Sequence, residues 1–196
     1  SEIAIDLETR DPNLMTMGSG SVRRDGEVVG IAVAVEGWSG YFPIAHEGGG
    51  NMDRGLVLDW FEELLQTTAT KIFHNAMYDV SWIRSLGFYI NGGIIDTMIA
   101  ASLIDENRFS YTLDSVGKDY IGMRKNENLL KEAAKDFGVN PKAEMWRLPA
   151  PFVGEYAERD AEMTLKLWHA LQHEITKQDL WAVFDLESNL FPCLVD

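Results

Sequence analysis

Ile3-Ala4-Ile5-Asp6-Leu7-Glu8-Thr9 decides the reading of this chain. Apolar residues surround two carboxylates spaced i and i+2, and on a β-strand those positions share one face. Asp6 and Glu8 therefore project side by side at a strand's end. Like charges this close repel, and a divalent cation is the simplest compensator because hard cations take carboxylate oxygens. The plain alternative is an exposed strand end with two solvated acids.

Working outward, residues 10–26 are polar and rich in Gly, Ser, Arg and Asp, which predicts a loop or turn. Val28 to Glu36 and Tyr41 to Ala45 read as strands around the turn Gly37-Trp38-Ser39-Gly40, giving an antiparallel meander with the first strand. His46-Glu47-Gly48-Gly49-Gly50-Asn51 lacks the Lys-Ser/Thr of a phosphate loop and reads as a plain loop. Apolar residues at 56, 57, 60, 61, 64 and 65 predict a helix, and Lys71-Ile72-Phe73 a short strand. Asn75 is the expected N-cap of a helix running to Gly87, with Asp79 in its first turns. Ile94-Ile95-Asp96 reads as a strand with Asp96 capping the next helix, and 112–121 and 126–137 as two more helices. Asn140 to Pro151 is expected to be irregular, Pro151 to start a long helix, and 178–195 to form a last helix broken by Pro192. The pattern predicts one α/β domain over residues 1–196, a mixed β-sheet (antiparallel meander plus parallel strands) flanked by α-helices.

Composition is that of a globular protein, with one cysteine and no run of spanning length, and no signal peptide is expected. Cys193 alone excludes a disulfide framework and fits a reducing compartment. The chain begins inside a strand pattern and ends in a helical one, which reads as a domain excised from something longer. Net charge is −14, which argues against a generic phosphate-binding surface. Binding to nucleic acid would need metal ions in an acidic site, or a basic partner domain.

Three stretches carry acids where elements end or turn: Asp6-Leu7-Glu8, Asn75-x-x-x-Asp79 and Tyr156-x-x-x-Asp160. Taken singly, Asp79 reads as a cap and Tyr156 as a core residue. In this order they resemble the three motifs of the DEDD exonuclease superfamily, which has a ribonuclease H-like fold. Tyr156, four residues before Asp160, is similar to the tyrosine subgroup. Further stretches extend the resemblance to the proofreading 3′→5′ exonuclease domain of family A, polymerase I-type DNA polymerases. They are Tyr41-Phe-Pro-Ile-Ala-His46, Asn75-Ala-Met-Tyr-Asp79, Ile95-Asp-Thr-Met98, Tyr111-Thr-Leu-Asp-Ser115 and Tyr156-Ala-Glu-Arg-Asp160, while Val183 to Asp196 resembles the helix leading into a polymerase domain. The Gly-run after His46 and the 138–151 linker depart from the pattern.

The resemblance implies catalytic residues Asp6, Glu8, Asp79, Tyr156 and Asp160, with the four carboxylates as ligands of two Mg2+ or Mn2+ ions. Asp6 would bridge both ions, Glu8 and Asp160 complete one site, and Asp79 hold the other through water. Tyr156 would aim the attacking water, with Glu8 as its second partner; a phenol of pKa near 10 is a poor base at neutral pH. Thr9 and Asn75 are candidates for contacting the terminal nucleotide, against a local capping role. Leu14, Met15 and Trp146 are candidates for stacking on bases, against a place in the core. His46 and His74 read as structural. The implied substrate is the 3′ end of single-stranded DNA and the implied partner a covalently linked polymerase domain, in the cytoplasm of a bacterial or phage-infected cell and with no membrane. Two other readings stand: an RNase D-like exoribonuclease using the same acids, and an inactive exonuclease-like interaction domain. Such inactive domains lose carboxylates, and all four are present here.

Overall fold

β1 (Glu2–Arg10) lies in the middle of the sheet because its alternation serves two buried faces at once. Ile5 and Leu7 point into one apolar cluster, while Ala4 points into another on the opposite face. Asp6 and Glu8 share Ala4's parity, so they face the second layer. The structure is a computed structural model describing residues 1–195; Asp196, the last residue of the stretch similar to a polymerase-linking helix, lies outside the described residues.

After β1 come α1 (Leu14–Met17), α2 (Gly20–Arg23), β2 (Glu27–Val35), β3 (Trp38–Pro43), α3 (Arg54–Gln66), β4 (Thr70–Phe73) and α4 (Ala76–Ser85). Then follow β5 (Ile94–Asp96), α5 (Thr97–Ile104), α6 (Leu113–Ile121), α7 (Asn128–Phe137), α8 (Gly154–Lys177) and α9 (Trp181–Val195). The sheet runs β3-β2-β1-β4-β5, antiparallel across β3, β2 and β1 and parallel across β1, β4 and β5. This is the expected meander plus parallel strands. Val57, Phe61 and Leu65 of α3 and Val80, Trp82 and Ile83 of α4 cover one face. Residues of α5, α6 and α8 cover the other.

Four local expectations are corrected. The polar stretch 10–26 holds two short helices, α1 and α2, with Ser19 capping the second. The long helix does not start at Pro151. Ala150–Phe152 forms a 3-10 turn, and α8 begins at Gly154. The last helix begins at Trp181, because Asp179 adopts a left-handed conformation (φ 55°). Pro192 lies inside that helix without breaking it; near a helix end a proline removes only one backbone hydrogen bond.

The fourth concerns Asn75. It holds the N-cap position of α4 in a left-handed conformation (φ 67°, ψ 58°), and its side chain caps nothing. The cap comes from Asp96, whose two carboxylate oxygens accept the amides of Asn75 (3.0 Å) and Ala76 (2.9 Å). Asp96 also accepts the Met98 amide (2.9 Å), so one carboxylate starts both α4 and α5. Asp96→Ala leaves buried donors unpaired and is expected to cost about 3 kcal/mol, read as a lowered urea midpoint at unchanged slope.

His46 ties the loop after β3 to the segment before α8. Its Nδ1 lies 3.0 Å from the Leu148 carbonyl, so Nδ1 carries the proton, and Nε2 accepts from the Tyr41 hydroxyl at 2.6 Å. Burial lowers the His46 pKa, against the opposing pull of the Leu148 carbonyl. A native pKa below the unfolded value of about 6.5 makes the unfolded chain bind more protons as pH falls. Its contribution is therefore whole above that value and is lost as pH drops through the native one. Replacing His46 with Gln is expected to flatten the fall in stability from about pH 7 to 5, relative to wild type, in denaturation series at each pH.

Candidate active site

α8 can approach the sheet closely because the facing residues are small. Ala157 and Ala161 pack in one cluster with Ala4, Ala32 and Ala34. That seam brings Tyr156 and Asp160, one helical turn apart, over the strand face that carries Asp6 and Glu8. On β2, Glu8 pairs with Gly30 and Thr9 with Val28, so Val29 forms a bulge next to the acids. Gly30 is required there: a Cβ would lie 1.9 Å from the Tyr41 hydroxyl, which sits against β2.

Asp79 arrives from the other side. It is buried in the first turn of α4, and its Oδ1 accepts the backbone amide of Leu7 at 2.9 Å, between Asp6 and Glu8. The capping role expected of an isolated Asp79 is thus replaced by a bond from helix to central strand. Asp6, Glu8, Asp79, Tyr156, Asp160 and Lys125 line one cavity of about 560 Å³.

Gathering acids in a half-buried cavity has an electrostatic cost. Burial, then the neighbouring Asp160 carboxylate, pushes the Asp6 pKa up to about 7. Burial and then Asp6 and Asp160 push Glu8 well up, and burial and then Asp6 do the same to Asp79. Burial and then Asp160 also raise the Tyr156 phenol, which makes it a still poorer base and leaves it as a hydrogen-bonding group. The one cation among the six is Lys125, whose Nζ sits 2.6 Å from Asp160 Oδ2 and 3.1 Å from the Tyr156 hydroxyl. Asp160 Oδ1 is buried with no hydrogen-bond partner.

The donor set fits hard divalent cations: oxygen ligands alone, in excess of negative charge, with one buried carboxylate oxygen unpaired. Among the described residues, no three His, Cys, Asp or Glu side chains already form a group able to hold an ion. The Lys125 ammonium takes one oxygen of Asp160.

The remaining sequence candidates divide. Asn75 lines the cavity. The Thr9 hydroxyl lies 2.7 Å from that of Tyr78, which lines it too. Leu14 and Met15 are exposed, Met15 at 94%, so neither is a core residue. The guanidinium groups of Arg10 and Arg147 each lie 5.5 Å from the ring centroid of Trp146. His74 bonds Thr97 Oγ1 and the Tyr111 carbonyl, and it lines the cavity as well. The sequence does not single out Lys125, and it marks Tyr41 only as the first residue of a stretch that carries the family resemblance. A lysine in a connector carries no periodic signal.

A family of 3′-5′ exonucleases matches residues 1–176. The chain is 40% identical over 197 residues to a DNA-directed DNA polymerase of Pseudomonas phage M6, covering 98% of this chain and 30% of that one. It is 30% identical over 203 residues to the DNA polymerase DpoZ of Salmonella phage PMBT28, covering 100% of this chain and again 30% of the relative. The chain thus spans about a third of the length of these polymerases. The crystal structure of Escherichia coli RNase D, an exoribonuclease, superposes with a TM-score of 0.67 at 18% identity, over 99% of this chain and 44% of that one. That likeness concerns the fold, which is ribonuclease H-like. With the family matched over strand, both helix motifs and most of α8, the chain belongs to the 3′-5′ exonucleases of the kind found in DNA polymerases.

Proposed function

We propose that this chain removes nucleotides one at a time from the 3′ end of single-stranded DNA, releasing nucleoside 5′-monophosphates, as the proofreading domain of a family A polymerase. The observation that carries the reading is the convergence of Asp6, Glu8, Asp79, Asp160 and Tyr156 on one cavity from three separate parts of the chain. In the reaction, a water oxygen bonds to the terminal phosphorus and the bond to the penultimate 3′-oxygen breaks, that oxygen taking up a proton. Two Mg2+ or Mn2+ ions, held by Asp6, Glu8, Asp79 and Asp160, would supply water activation and charge neutralisation at the leaving oxygen.

The chain's own residues do the positioning. Tyr156 holds the water by its hydroxyl, with Glu8 as the second acceptor, in the manner of the tyrosine subgroup. Asp79 fixes β1 at the Leu7 amide, between the two strand acids, so they keep their spacing. Asn75 and Tyr78, whose hydroxyl pairs with that of Thr9, line the cavity, and Asn75 and Thr9 would contact the terminal nucleotide. The net charge of −14 makes the isolated domain a weak binder of duplex DNA, and most of the basic surface would come from the linked polymerase, in a bacterial or phage-infected cell.

A gel time course with 5′-labelled single-stranded DNA tests this. Shortening from the 3′ end is expected in Mg2+ or Mn2+ and is abolished by EDTA. Asp6→Ala is expected to lower the rate by about 10³-fold or more, and Tyr156→Phe by about 10²-fold, the scale for lost transition-state contacts. Trimming of matched RNA with DNA left intact would replace this reading by the RNase D-like one. Both strands intact in Mn2+, with the polymerase domain attached, would leave an inactive interaction domain.

A further inference from the structure

Of the lysines that line the cavity (Lys125, Lys131 and Lys142), Lys125 is the one bonded to a carboxylate of the four, and the fold holds it there. It belongs to the connector between α6 and α7. Its own amide donates to Asp114 Oδ1 at 3.0 Å. Arg159 Nε of α8 reaches the carbonyl of Arg124 at 3.3 Å, and the Asn126 side chain donates to Glu155 Oε1 of α8 at 2.8 Å. Three residues in a row are thus stitched to neighbouring helices. The lysine side chain is 21% exposed, its ammonium lies on Asp160 and on the Tyr156 hydroxyl, and it sits 5.2 Å from the Tyr156 ring centroid.

Such a pair has a defined energetic character. Asp160 is almost wholly buried, and without a counter-charge its carboxylate would stand desolvated beside Asp6. The ammonium satisfies Oδ2 while Oδ1 stays unpaired. A second cation can therefore reach Asp160 only by adding to, or displacing, the first, and two cations at one carboxylate repel.

We propose that Lys125 is a positioning residue that stands in for a divalent ion. Its ammonium holds Asp160 and Tyr156 in place while the cavity is ion-free and yields Asp160 when an ion binds. The proposal rests on the ion-dependent reading above. It makes the acidic cavity self-neutralising at one corner, so the chain need not be loaded with ions to fold, and it sets an electrostatic threshold for loading.

The test is a calorimetric Mn2+ titration of wild type, Lys125→Met, Lys125→Gln and Lys125→Arg, paired with thermal melts in EDTA and in saturating Mn2+. Both neutral variants are expected to melt below wild type in EDTA, to bind Mn2+ at least about fivefold more tightly, and to close the melting gap in saturating Mn2+. Lys125→Arg keeps the charge and is expected to stay near the wild-type affinity. A merely structural lysine would lower the melt equally in both conditions and leave affinity unchanged, which overturns the proposal. So does failure of both neutral variants to melt cooperatively even in Mn2+. Uptake of Mn2+ by wild type with no change in the variants removes only the role of Lys125. No uptake by any of the four proteins, wild type included, removes the ion-dependent reading and this proposal with it.

Discussion

The repulsion among Asp6, Glu8, Asp79 and Asp160 is the constraint to which the rest of this structure answers. The central strand β1, the first turn of α4 and the long helix α8 each deliver acids to the same cavity, and no single element could hold them at that spacing. The protein meets the cost in three ways. Asp79 takes the amide of Leu7, Asp160 takes the ammonium of Lys125, and Asp6 and Glu8, though largely covered, keep partial access to solvent on the cavity wall. What is left over is an excess of negative charge in a defined place, which is the physical precondition for holding cations.

The packing that makes this possible is plain in retrospect. Small residues on both sides of the α8–sheet seam let the helix close on β1 and β2, and a larger side chain at Ala157 or Ala161 would lift Tyr156 and Asp160 away together. The bulge at Val29 and the absence of a side chain at Gly30 shape the floor under Glu8 and make room for Tyr41. Asp96 completes the arrangement by starting α4 and α5 from one carboxylate, so the helix that carries Asp79 is anchored at its first residue.

Sequence reading captured what periodicity and motif spacing encode. The strand parity of Asp6 and Glu8, the mixed sheet and the helical face shared by Tyr156 and Asp160 all follow from patterns of two or four residues. What it missed depends on contacts between residues distant in the chain. Asn75 has the composition of a cap and the position of a cap, yet the capping oxygens belong to Asp96, 21 residues away. Lys125 is 35 residues from Asp160 and sits in a segment with no periodicity at all. The short helices in 10–26 are similarly opaque, since a four-residue helix is too short for a periodic signal.

The bond from the Leu7 amide to Asp79 bears on how such chains are judged by eye. A carboxylate that fastens the central strand to α4 has a place in the fold whatever its part in chemistry. A descendant that had abandoned nucleotide removal would still be under pressure to retain it. Finding an aspartate at this place in a related chain is therefore weak testimony that the chain still cuts anything.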